Sequence, residues 1–308
     1  MILISEDVWG APFEELSKRR SINQDPQLFN DPKKLIESLA DVEALVVRNR
    51  TQVTAEVIKS APKLKVIARA GVGLDNIDVK AADAAGVVVV AGLGANAVAV
   101  AELTLGLALA LSRAIPKQDV DTKAGKWLRT PGVEISGKTW GLLGCGATGR
   151  ATAKLLAGFG CKVIGYDPFF KGNDQIQMAS WDEVIAASDV ISVHMPATTE
   201  TIGSINESVF SAMKKSAFLV NVGRGDLVNE TDLISALKSS EIAGAALDVR
   251  ISEPPTSGEL ETLENLILTP HIAGITKESQ AAINKILVDN IDLVLNGEKA
   301  THAVGANS

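Results

Sequence analysis

Three glycines at fixed spacing follow an apolar run in the segment TWGLLGCGATGRATAKLL. In Gly144-x-Gly146-x-x-Gly149 the first glycine permits a tight turn, the second lets a pyrophosphate approach the backbone, and the third lets a helix pack closely on a strand. The helix that starts here offers free backbone N–H groups and the positive end of its dipole to phosphates. The spacing therefore predicts a dinucleotide site, although glycines alone often serve only turns.

An acidic residue stands at the end of the next predicted strand, KVIGYD. Asp167 lies roughly 20 residues beyond Gly149, where a carboxylate can accept hydrogen bonds from the ribose hydroxyls of a dinucleotide. The same negative charge would repel a 2′-phosphate. NAD is therefore favoured over NADP as the cofactor.

An arginine stands between two glycines in NVGRGDLVNE, just past the apolar run 217–222. A guanidinium at the end of a buried strand must be solvated or given an anion to hold. The planar fork of Arg224 suits the paired oxygens of a carboxylate. A solvated arginine that caps the strand is the commoner arrangement, so this residue alone leaves both interpretations open.

Short β-branched runs alternate with helical patterns along most of the chain, which predicts parallel sheets covered by helices on both faces. The predicted strands are 2–5, 44–47, 65–68, 87–90, 139–144, 162–167, 190–195, 217–222, 243–249 and 266–270. The apolar helix 97–112 separates the first four from the rest, so two sheets are expected. The last helical pattern, KESQAAINKILVDNIDLVL, is expected to return to the first sheet, and the tail THAVGANS is expected to be frayed.

Composition limits the class of protein. A chain of 308 residues with 46% hydrophobic and 22% charged residues is expected to form two globular domains. The net charge of −7 argues against broad binding of nucleic acid or an anionic membrane. Cys145 and Cys161 are too few for a disulfide framework, no Cys/His cluster has metal-ligand spacing, and MILISEDVW lacks signal-peptide features. A cytoplasmic protein without a metal is predicted.

Several segments, in order, carry a resemblance to a known family. They are RNRTQVTAEVI (48–58), ARAGVGLDNIDV (68–79), GANAVAVAEL (94–103), LLGCGATGR (142–150), VHMPATTET (193–201), NVGRGDLVNE (221–230), AALDVRISEPP (245–255) and TPHIAG (269–274). From about Leu45 to Gly274 the chain resembles the D-2-hydroxyacid dehydrogenase family, and it is most similar to the D-3-phosphoglycerate dehydrogenase branch. The resemblance implies hydride transfer between NAD and a D-2-hydroxy acid or its 2-oxo acid.

The resemblance assigns three catalytic residues. Arg224 matches the arginine that binds the carboxylate and carbonyl oxygen of the 2-oxo acid, and His271 matches the histidine that exchanges the proton. Glu253 matches the glutamate that orients this histidine and stabilises its imidazolium form. Of the other two histidines, His194 is interpreted as a structural residue near the cofactor and His302 as inert.

The resemblance also implies which residues line the cofactor site. They are Gly144, Gly146, Ala147, Thr148, Gly149, Asp167, Met195, Pro196, Val222, Gly223, Asp248 and Gly274. Asp248 matches the residue expected to hold the nicotinamide carboxamide. One departure follows it, because Arg250 stands where the family has an aromatic residue, and this puts the local packing or the charge near the substrate in doubt.

On the substrate side, the backbone of Val72 and Gly73 is implied to receive the substrate carboxylate, and Asn96 lies near the implied hinge. Arg48 and Arg50 match a segment that approaches a distal phosphate in the phosphoglycerate branch. Only one of these two side chains is expected to face the substrate. A second anion would suit 3-phosphoglycerate or a sulfonate such as sulfolactate, whereas ordinary solvated arginines would suit a glyoxylate or hydroxypyruvate reductase.

The sequence thus predicts two Rossmann/flavodoxin-like, doubly wound parallel-sheet α/β domains with the active site in the cleft between them. Residues 1–97 with 279–308 form the substrate domain, and residues 98–278 form the NAD-binding domain. Segment 117–132 resembles the family's dimerisation arm, so a homodimer is expected. No regulatory domain is expected after the last helix. The family also includes NAD(H)-sensing corepressors, so a binding protein of this kind is the alternative of another class.

Overall fold

The computed structural model describes residues 1–307, which divide into two compact units. The first unit comprises Met1–Asn96 and the residues from Ile275 onward, and the second comprises Ala97–Gly274. This division differs from the predicted boundaries at residue 97 and at residues 275–278. Each unit contains its own sheet.

The described residues form thirteen strands and eleven α-helices. The strands are β1 (Ile2–Ile4), β2 (Ile22–Gln24), β3 (Ala44–Val47), β4 (Val66–Arg69), β5 (Val88–Ala91), β6 (Thr139–Leu143), β7 (Lys162–Tyr166), β8 (Gln177–Met178), β9 (Val190–Val193), β10 (Phe218–Asn221), β11 (Gly244–Leu247), β12 (Leu266–Leu268) and β13 (Ala303–Val304). The helices are α1 (Ala11–Ser17), α2 (Pro32–Glu37), α3 (Ala55–Lys59), α4 (Val79–Ala84), α5 (Ala97–Ser112), α6 (Ile115–Lys123), α7 (Ala147–Leu156), α8 (Trp181–Ala187), α9 (Glu207–Ala212), α10 (Glu230–Lys238) and α11 (Lys277–Leu295).

The first sheet has the strand order β2-β1-β3-β4-β5-β13. The strands from β1 to β5 are parallel, and their order is that of a flavodoxin-like sheet. The second sheet has the order β8-β7-β6-β9-β10-β11-β12, and all of its pairings are parallel. Its strand order reverses between β6 and β9, which is the position where α/β proteins of this type bind ligands. The prediction of two parallel-sheet α/β domains is confirmed.

Both faces of each sheet are covered by apolar side chains. Successive strand residues point to opposite faces, so Leu3 belongs to one core of the first unit and Ile4 to the other. In the second unit Leu219 and Val220 of β10 likewise lie in opposite cores. Strands buried on both faces need continuous apolar runs, which explains why the strand segments show no alternation of apolar and polar residues.

Helix α11 returns to the first unit, where it packs against α1, β4 and β5. Thr276 and Ser279 form a capping box at its start, with each side chain accepting the other residue's backbone N–H. Near its end Asp292 accepts a 2.7 Å hydrogen bond from Arg20, next to α1. The helix is therefore capped at its start and bonded to the rest of the first unit near its end.

The prediction of a frayed tail is wrong. β13 pairs antiparallel with β5, with Ala303 opposite Val90. Oδ1 of Asn290 in α11 accepts the backbone N–H groups of Thr301 and His302 at 2.7 and 3.1 Å. A strand of two residues is too short to give a sequence pattern, and its pairing depends on an edge of β5 that would otherwise be open.

The apolar helix α5 belongs to the second unit and packs against α7, β10 and β11. Ala101, Thr104 and Ala108 on its packed side are fully buried. Among residues 1–307 no single helix is long and apolar enough to cross a membrane, and α5 and α6 would reach the length only as a pair bent by 58°.

Candidate active site

The turn between β6 and α7 uses its three glycines in three different ways. Gly144 has a φ of +96°, and a Cβ there would lie 2.9 Å from the backbone carbon of His194. A Cβ on Gly149 would lie 2.2 Å from the oxygen of Gly144. A Cβ on Gly146 would meet no heavy atom within 4 Å. Gly144 and Gly149 are therefore required by the fold, whereas Gly146 leaves open space above the turn.

Helix α7 begins directly after Gly146. Ala147 and Thr148 lie in its first turn, where backbone N–H groups have no partner within the helix. This turn offers an anion both hydrogen-bond donors and the positive end of the helix dipole. The open space at Gly146 and these donors together fit the pyrophosphate of a dinucleotide.

Asp167 directly follows β7, beside the glycine turn. Its Oδ2 accepts the backbone N–H of Cys145 at 2.8 Å, and its Oδ1 accepts those of Phe169 and Phe170 at 2.8 and 3.1 Å. Three backbone donors therefore fix the carboxylate. A carboxylate has about four acceptor positions, so capacity for a ribose hydroxyl remains.

The turn that carries Arg224 follows β10 and is braced by a buried amide. Asn221 accepts the N–H of Gly223 at 3.0 Å and donates to the backbone oxygen of Arg224 at 2.9 Å. The half-buried side chain of Arg224 donates to the oxygen of Gly223 at 2.9 Å. The guanidinium is thereby held at the carboxyl end of the second sheet.

His271 and Glu253 form a direct pair. Nδ1 of His271 lies 2.7 Å from Oε2 of Glu253. The side chains are 49% and 36% exposed, so a small molecule can reach both. Because a carboxylate only accepts hydrogen bonds, Nδ1 carries the proton of this contact and Nε2 remains for a substrate.

Asp248 organises the segment that carries His271. Its buried carboxylate accepts hydrogen bonds from the hydroxyl of Thr269 at 2.6 Å and from the N–H groups of Ile272 and Ala273 at 2.9 and 2.8 Å. Its backbone oxygen accepts the N–H of His271 at 2.7 Å. Sequence reasoning did not single out Thr269, which stands two residues before the histidine at the end of β12.

The other predicted cofactor residues of the second unit also follow its strands. Met195 and Pro196 follow β9, Val222 and Gly223 follow β10, and Gly274 ends the unit. A Cβ on Gly223 would lie 2.8 Å from the oxygen of Met195, so the two segments approach each other closely. Since the carboxyl ends of parallel strands lie along one edge, the structure places these residues with Asp167 and Arg224 at that edge.

His194 lies beside the glycine turn with its ring facing the core. The indole N–H of Trp140 donates to Ser192 Oγ at 2.8 Å, and this hydroxyl lies 3.0 Å from Nε2 of His194. Burial of the ring lowers the pKa of His194 to about 3. Burial similarly raises the pKa of the Cys145 thiol to about 12, with the charge of Asp167 contributing. Both groups are therefore neutral at physiological pH.

Arg250 points into a pair of carboxylates of the second unit. Its Nε lies 2.9 Å from Oε1 of Glu230 and its Nη1 lies 2.7 Å from Oε1 of Glu261. Only 12% of its side chain is exposed. The charge at position 250, where an aromatic residue was expected, is therefore paired within its own unit.

The predicted substrate residues of the first unit follow neighbouring strands. Arg48 and Arg50 follow β3, Val72 and Gly73 follow β4, and Asn96 follows β5. They therefore lie along the carboxyl edge of the first sheet. No contact in the described residues assigns a substrate role to any of them, so these roles remain predictions.

Sequence reasoning missed the carboxylate that shapes the arginine segment. Glu6 follows β1 and is 2% exposed. It accepts four backbone N–H groups from residues 48–51 at distances from 2.7 to 3.3 Å. One signal was available, because β1 and β3 are neighbouring parallel strands and the residues after them must meet.

The side chain of Arg50 has a definite direction. Its guanidinium carbon lies 3.7 Å from the centre of the Phe29 ring, which is a cation–π contact. Arg48 is half-buried and Arg50 is exposed. The two side chains therefore have different surroundings. Residues i and i+2 of a regular extended segment would lie on one side, and the bend at residues 49–50 breaks that pattern.

The comparisons with known proteins agree with this geometry. Residues 105–273 match the family described as "D-isomer specific 2-hydroxyacid dehydrogenase, NAD binding domain". A D-3-phosphoglycerate dehydrogenase of Archaeoglobus fulgidus is 42% identical over 283 residues, which cover 90% of this chain and 54% of that protein. The chain therefore spans about half the length of the curated relatives it matches.

Solved structures extend the similarity to the whole chain. The TT0316 protein from Thermus thermophilus has a TM-score of 0.92 and 31% identity, with 99% of each chain covered. A glyoxylate reductase from Paecilomyes thermophila has a TM-score of 0.89 and 28% identity, with 100% of this chain and 98% of that chain covered. The resemblance predicted from the motifs is confirmed, and the chain belongs to the D-isomer specific 2-hydroxyacid dehydrogenase family.

Proposed function

We propose that the chain is an NAD-dependent D-2-hydroxyacid dehydrogenase. The observation that carries the proposal is the contact of 2.7 Å between His271 and Glu253. His271 follows β12, so it lies at the carboxyl end of the second sheet, as does the glycine turn that follows β6. A histidine held by a carboxylate is oriented to give a proton and to take it back. The reaction is the interconversion of a 2-oxo acid and a D-2-hydroxy acid.

His271 exchanges the proton of this reaction at Nε2. In the reductive direction the imidazolium gives this proton to the carbonyl oxygen of the 2-oxo acid. In the oxidative direction the neutral ring takes the proton of the substrate hydroxyl. Glu253 keeps Nδ1 protonated and the ring oriented in both directions, which is why the pair works as a unit.

The second unit holds the cofactor through the turn after β6. The N–H groups of Ala147 and Thr148 would bind the pyrophosphate in the space at Gly146, and Asp167 would accept a hydrogen bond from a ribose hydroxyl. When bound, NADH supplies the hydride to C2 of the 2-oxo acid, and NAD accepts it in reverse. The carboxylate of Asp167 disfavours a 2′-phosphate, so NAD is preferred over NADP.

Arg224 holds and polarises the substrate. Its guanidinium pairs with the carboxylate and the carbonyl oxygen of the 2-oxo acid, so negative charge that develops on the carbonyl oxygen meets a fixed cation. The backbone of Val72 and Gly73 is proposed to provide further donors for the carboxylate.

A second anion on the substrate is proposed on the basis of Arg48 and Arg50. The curated relatives at 40–43% identity are named D-3-phosphoglycerate dehydrogenases, which supports a 3-phosphoglycerate-like substrate. Arg48 is the better candidate, because the guanidinium of Arg50 already rests on Phe29. The second candidate function is a glyoxylate or hydroxypyruvate reductase, which is favoured by the similarity to the Paecilomyes glyoxylate reductase and needs no second anion.

The test is an NADH absorbance assay on pairs of substrates that differ only in the distal anion. Phosphohydroxypyruvate and sulfopyruvate are compared with hydroxypyruvate and glyoxylate, in the parent protein and in Arg48→Met and Arg50→Met. Arg19→Met is the control, because this arginine of the first unit pairs with Asp292 instead. If Arg48 binds the anion, Arg48→Met raises KM for the phosphorylated acid roughly 10- to 100-fold and leaves hydroxypyruvate unchanged.

The other outcomes decide between the alternatives. A parent that uses hydroxypyruvate at least as well as phosphohydroxypyruvate, together with an unchanged KM for the phosphorylated acid in both variants, would replace the phosphoglycerate assignment with the reductase assignment. Tight NADH binding without turnover of any of these acids would refute the enzyme proposal in favour of a cofactor-sensing protein.

A homodimer and a cytoplasmic location complete the proposal. Trp127, in the segment predicted to be the dimerisation arm, is 82% exposed, and Leu128 beside it is 55% exposed. Exposed apolar side chains of this size favour burial against a second copy. Light scattering on Trp127→Ser and the parent tests this, since a parent that is monomeric at micromolar concentration would exclude the dimer. Cys145 and Cys161 are free, as suits a reducing compartment.

A further inference from the structure

Arg250 is held by two carboxylates from different elements. Glu230, the first residue of α10, receives Nε at 2.9 Å and Nη2 at 3.3 Å, so both of its oxygens are engaged. Glu261, in the short 3-10 helix before β12, receives Nη1 at 2.7 Å. The carboxylate of Glu230, with help from Glu261, raises the pKa of Arg250. Bidentate pairing of a nearly buried guanidinium fixes both its position and its orientation.

The backbone around Arg250 holds the catalytic acid pair. Its own N–H donates to Oε1 of Glu253 at 3.0 Å, while Oε2 of the same carboxylate contacts His271. The next N–H, that of Ile251, donates to Oε1 of Glu230 at 3.2 Å. The guanidinium of Arg250 and the backbone N–H of Ile251 therefore both bond the carboxylate of Glu230. Glu253 accepts the backbone N–H of Arg250, which these contacts hold in place.

The same backbone also packs against the turn of the substrate-binding arginine. A Cβ on Gly225 would lie 2.0 Å from the carbonyl carbon of Arg250 and 2.5 Å from the nitrogen of Ile251. Gly225 directly follows Arg224. The peptide between residues 250 and 251 thus packs against the Arg224 turn. The N–H of Arg250, one peptide earlier, hydrogen-bonds Glu253.

We propose that Arg250 is a positioning residue that fixes Glu253, and through it His271, relative to the Arg224 turn. This inference rests on the proposed function of the His271 and Glu253 pair. Proton transfer requires donor and acceptor at hydrogen-bond distance, and a displacement of about 1 Å can cost roughly 100-fold in rate. An aromatic residue at position 250 could fill the volume, but it would leave Glu230 and Glu261 without a cation.

The experiment compares Arg250→Met, Arg250→Lys and the matched control Lys238→Met. Lys238 pairs with Glu259, beside the 3-10 helix that carries Glu261, but makes no hydrogen bond or ion pair with residues 250–253 in the described chain. In the NADH assay Arg250→Met is expected to lower kcat roughly 10- to 100-fold, with the Kd of NADH and KM unchanged within about threefold. Arg250→Lys keeps the charge but not the fork, so its kcat is expected to lie between those of the parent and Arg250→Met.

A second readout does not depend on turnover. In protein labelled with ¹⁵N-histidine, the Nδ1 proton that His271 donates to Glu253 gives a downfield NMR signal, which His271→Asn assigns by removing it. In Arg250→Met this proton is expected to exchange with water at least about tenfold faster than in the parent and in Lys238→Met, because Glu253 is no longer anchored. If the parent turns over no acid, the proposed function fails while this exchange measurement still decides the positioning role.

Two results would overturn the inference. One is parent-like kcat and parent-like proton exchange in Arg250→Met. The other is a loss of kcat that is matched by equal losses in NADH affinity and thermal stability, because a general structural role would produce that pattern.

Discussion

His271 has a φ of +53° and lies 2.7 Å through Nδ1 from Oε2 of Glu253. A histidine in the left-handed region costs about 1–3 kcal/mol and persists only where the surrounding contacts hold it. The N–H of His271 donates to Asp248 O at 2.7 Å and to Thr269 O at 3.0 Å, and the Asp248 carboxylate accepts the next two N–H groups. The buried Asp248 thus holds His271 in a strained backbone conformation, as is typical of a preorganised active site.

Replacing His271 by asparagine is therefore a clean test of the proton donor. Asparagine tolerates the left-handed region better than other residues, so the backbone should be kept. We expect His271→Asn to lower kcat roughly 100- to 10,000-fold while the Kd of NADH and the urea midpoint stay near those of the parent. Turnover within about threefold of the parent would assign the proton to another group.

Gly146 separates cofactor binding from folding. A Cβ there meets no protein atom, so Gly146→Ala should leave the free energy of unfolding unchanged within about 1 kcal/mol. The added methyl would occupy the space proposed for the pyrophosphate, and we expect the Kd of NADH, measured by fluorescence, to rise about tenfold or more.

Two other glycines provide the controls. Gly158→Ala also adds a methyl in open space within the second unit, away from the turn, and should change neither quantity. Gly149→Ala should instead destabilise the protein, because its methyl meets the oxygen of Gly144 at 2.2 Å. If Gly146→Ala binds NADH as tightly as the parent does, the cofactor does not bind at this turn.

The sheets could be predicted because they depend on local patterns. Runs such as Ala44–Val47 and Phe218–Asn221 are short, apolar and buried throughout, and the helical segments between them dictate parallel pairing. β2, β8 and β13 were missed, because they are edge strands of two or three residues whose existence depends on a neighbour's open edge.

Site residues that belong to one local motif could be predicted from the sequence. Contacts between residues far apart in the sequence could not. The glycine turn and the segment of His271 are each local, so their positions follow from the sequence. The carboxylate of Glu6 acts on residues 48–51, and Glu230 acts on Arg250 twenty positions along the chain. Such contacts arise only when the sheet brings strand ends together, so a composition or spacing pattern does not reveal them.

Glu6 should control both the stability of the first unit and the position of Arg48. In Glu6→Gln an amide NH₂ replaces one of the oxygens that together accept four backbone N–H groups. We expect the free energy of unfolding in urea to fall by about 1–3 kcal/mol. KM for the acid with two anions should rise more than KM for hydroxypyruvate, because the Arg48 backbone is no longer held.

The control for Glu6→Gln is a carboxylate of the first unit that holds no loop backbone. Glu14→Gln alters an exposed acid in the first turn of α1. It should leave stability and both KM values near those of the parent. Equal stability of Glu6→Gln and the parent would show that the four N–H groups find other acceptors.

His194 should make the protein less stable in acid. Burial lowers its pKa from 6.5 to about 3, so between these values the unfolded chain binds a proton that the folded chain does not. The sign follows from linkage: the free energy of unfolding rises with pH in this window and is lost as pH falls through it, by at most about 1.4 kcal/mol per pH unit for one group. The geometry agrees, because Nδ1 is buried and has no hydrogen-bond partner among residues 1–307.

His194→Gln isolates this contribution, since glutamine can still bond Ser192 but takes up no proton. Urea unfolding of parent and variant at about pH 7.5, where the ring is neutral in both states, measures the packing cost of the substitution. Between about pH 6 and pH 5 the variant should lose less stability than the parent. A constant difference between the two proteins across this range would mean that the ring of His194 takes up its proton equally in the folded and unfolded chain, and that its contact with Ser192 does not depend on a neutral imidazole.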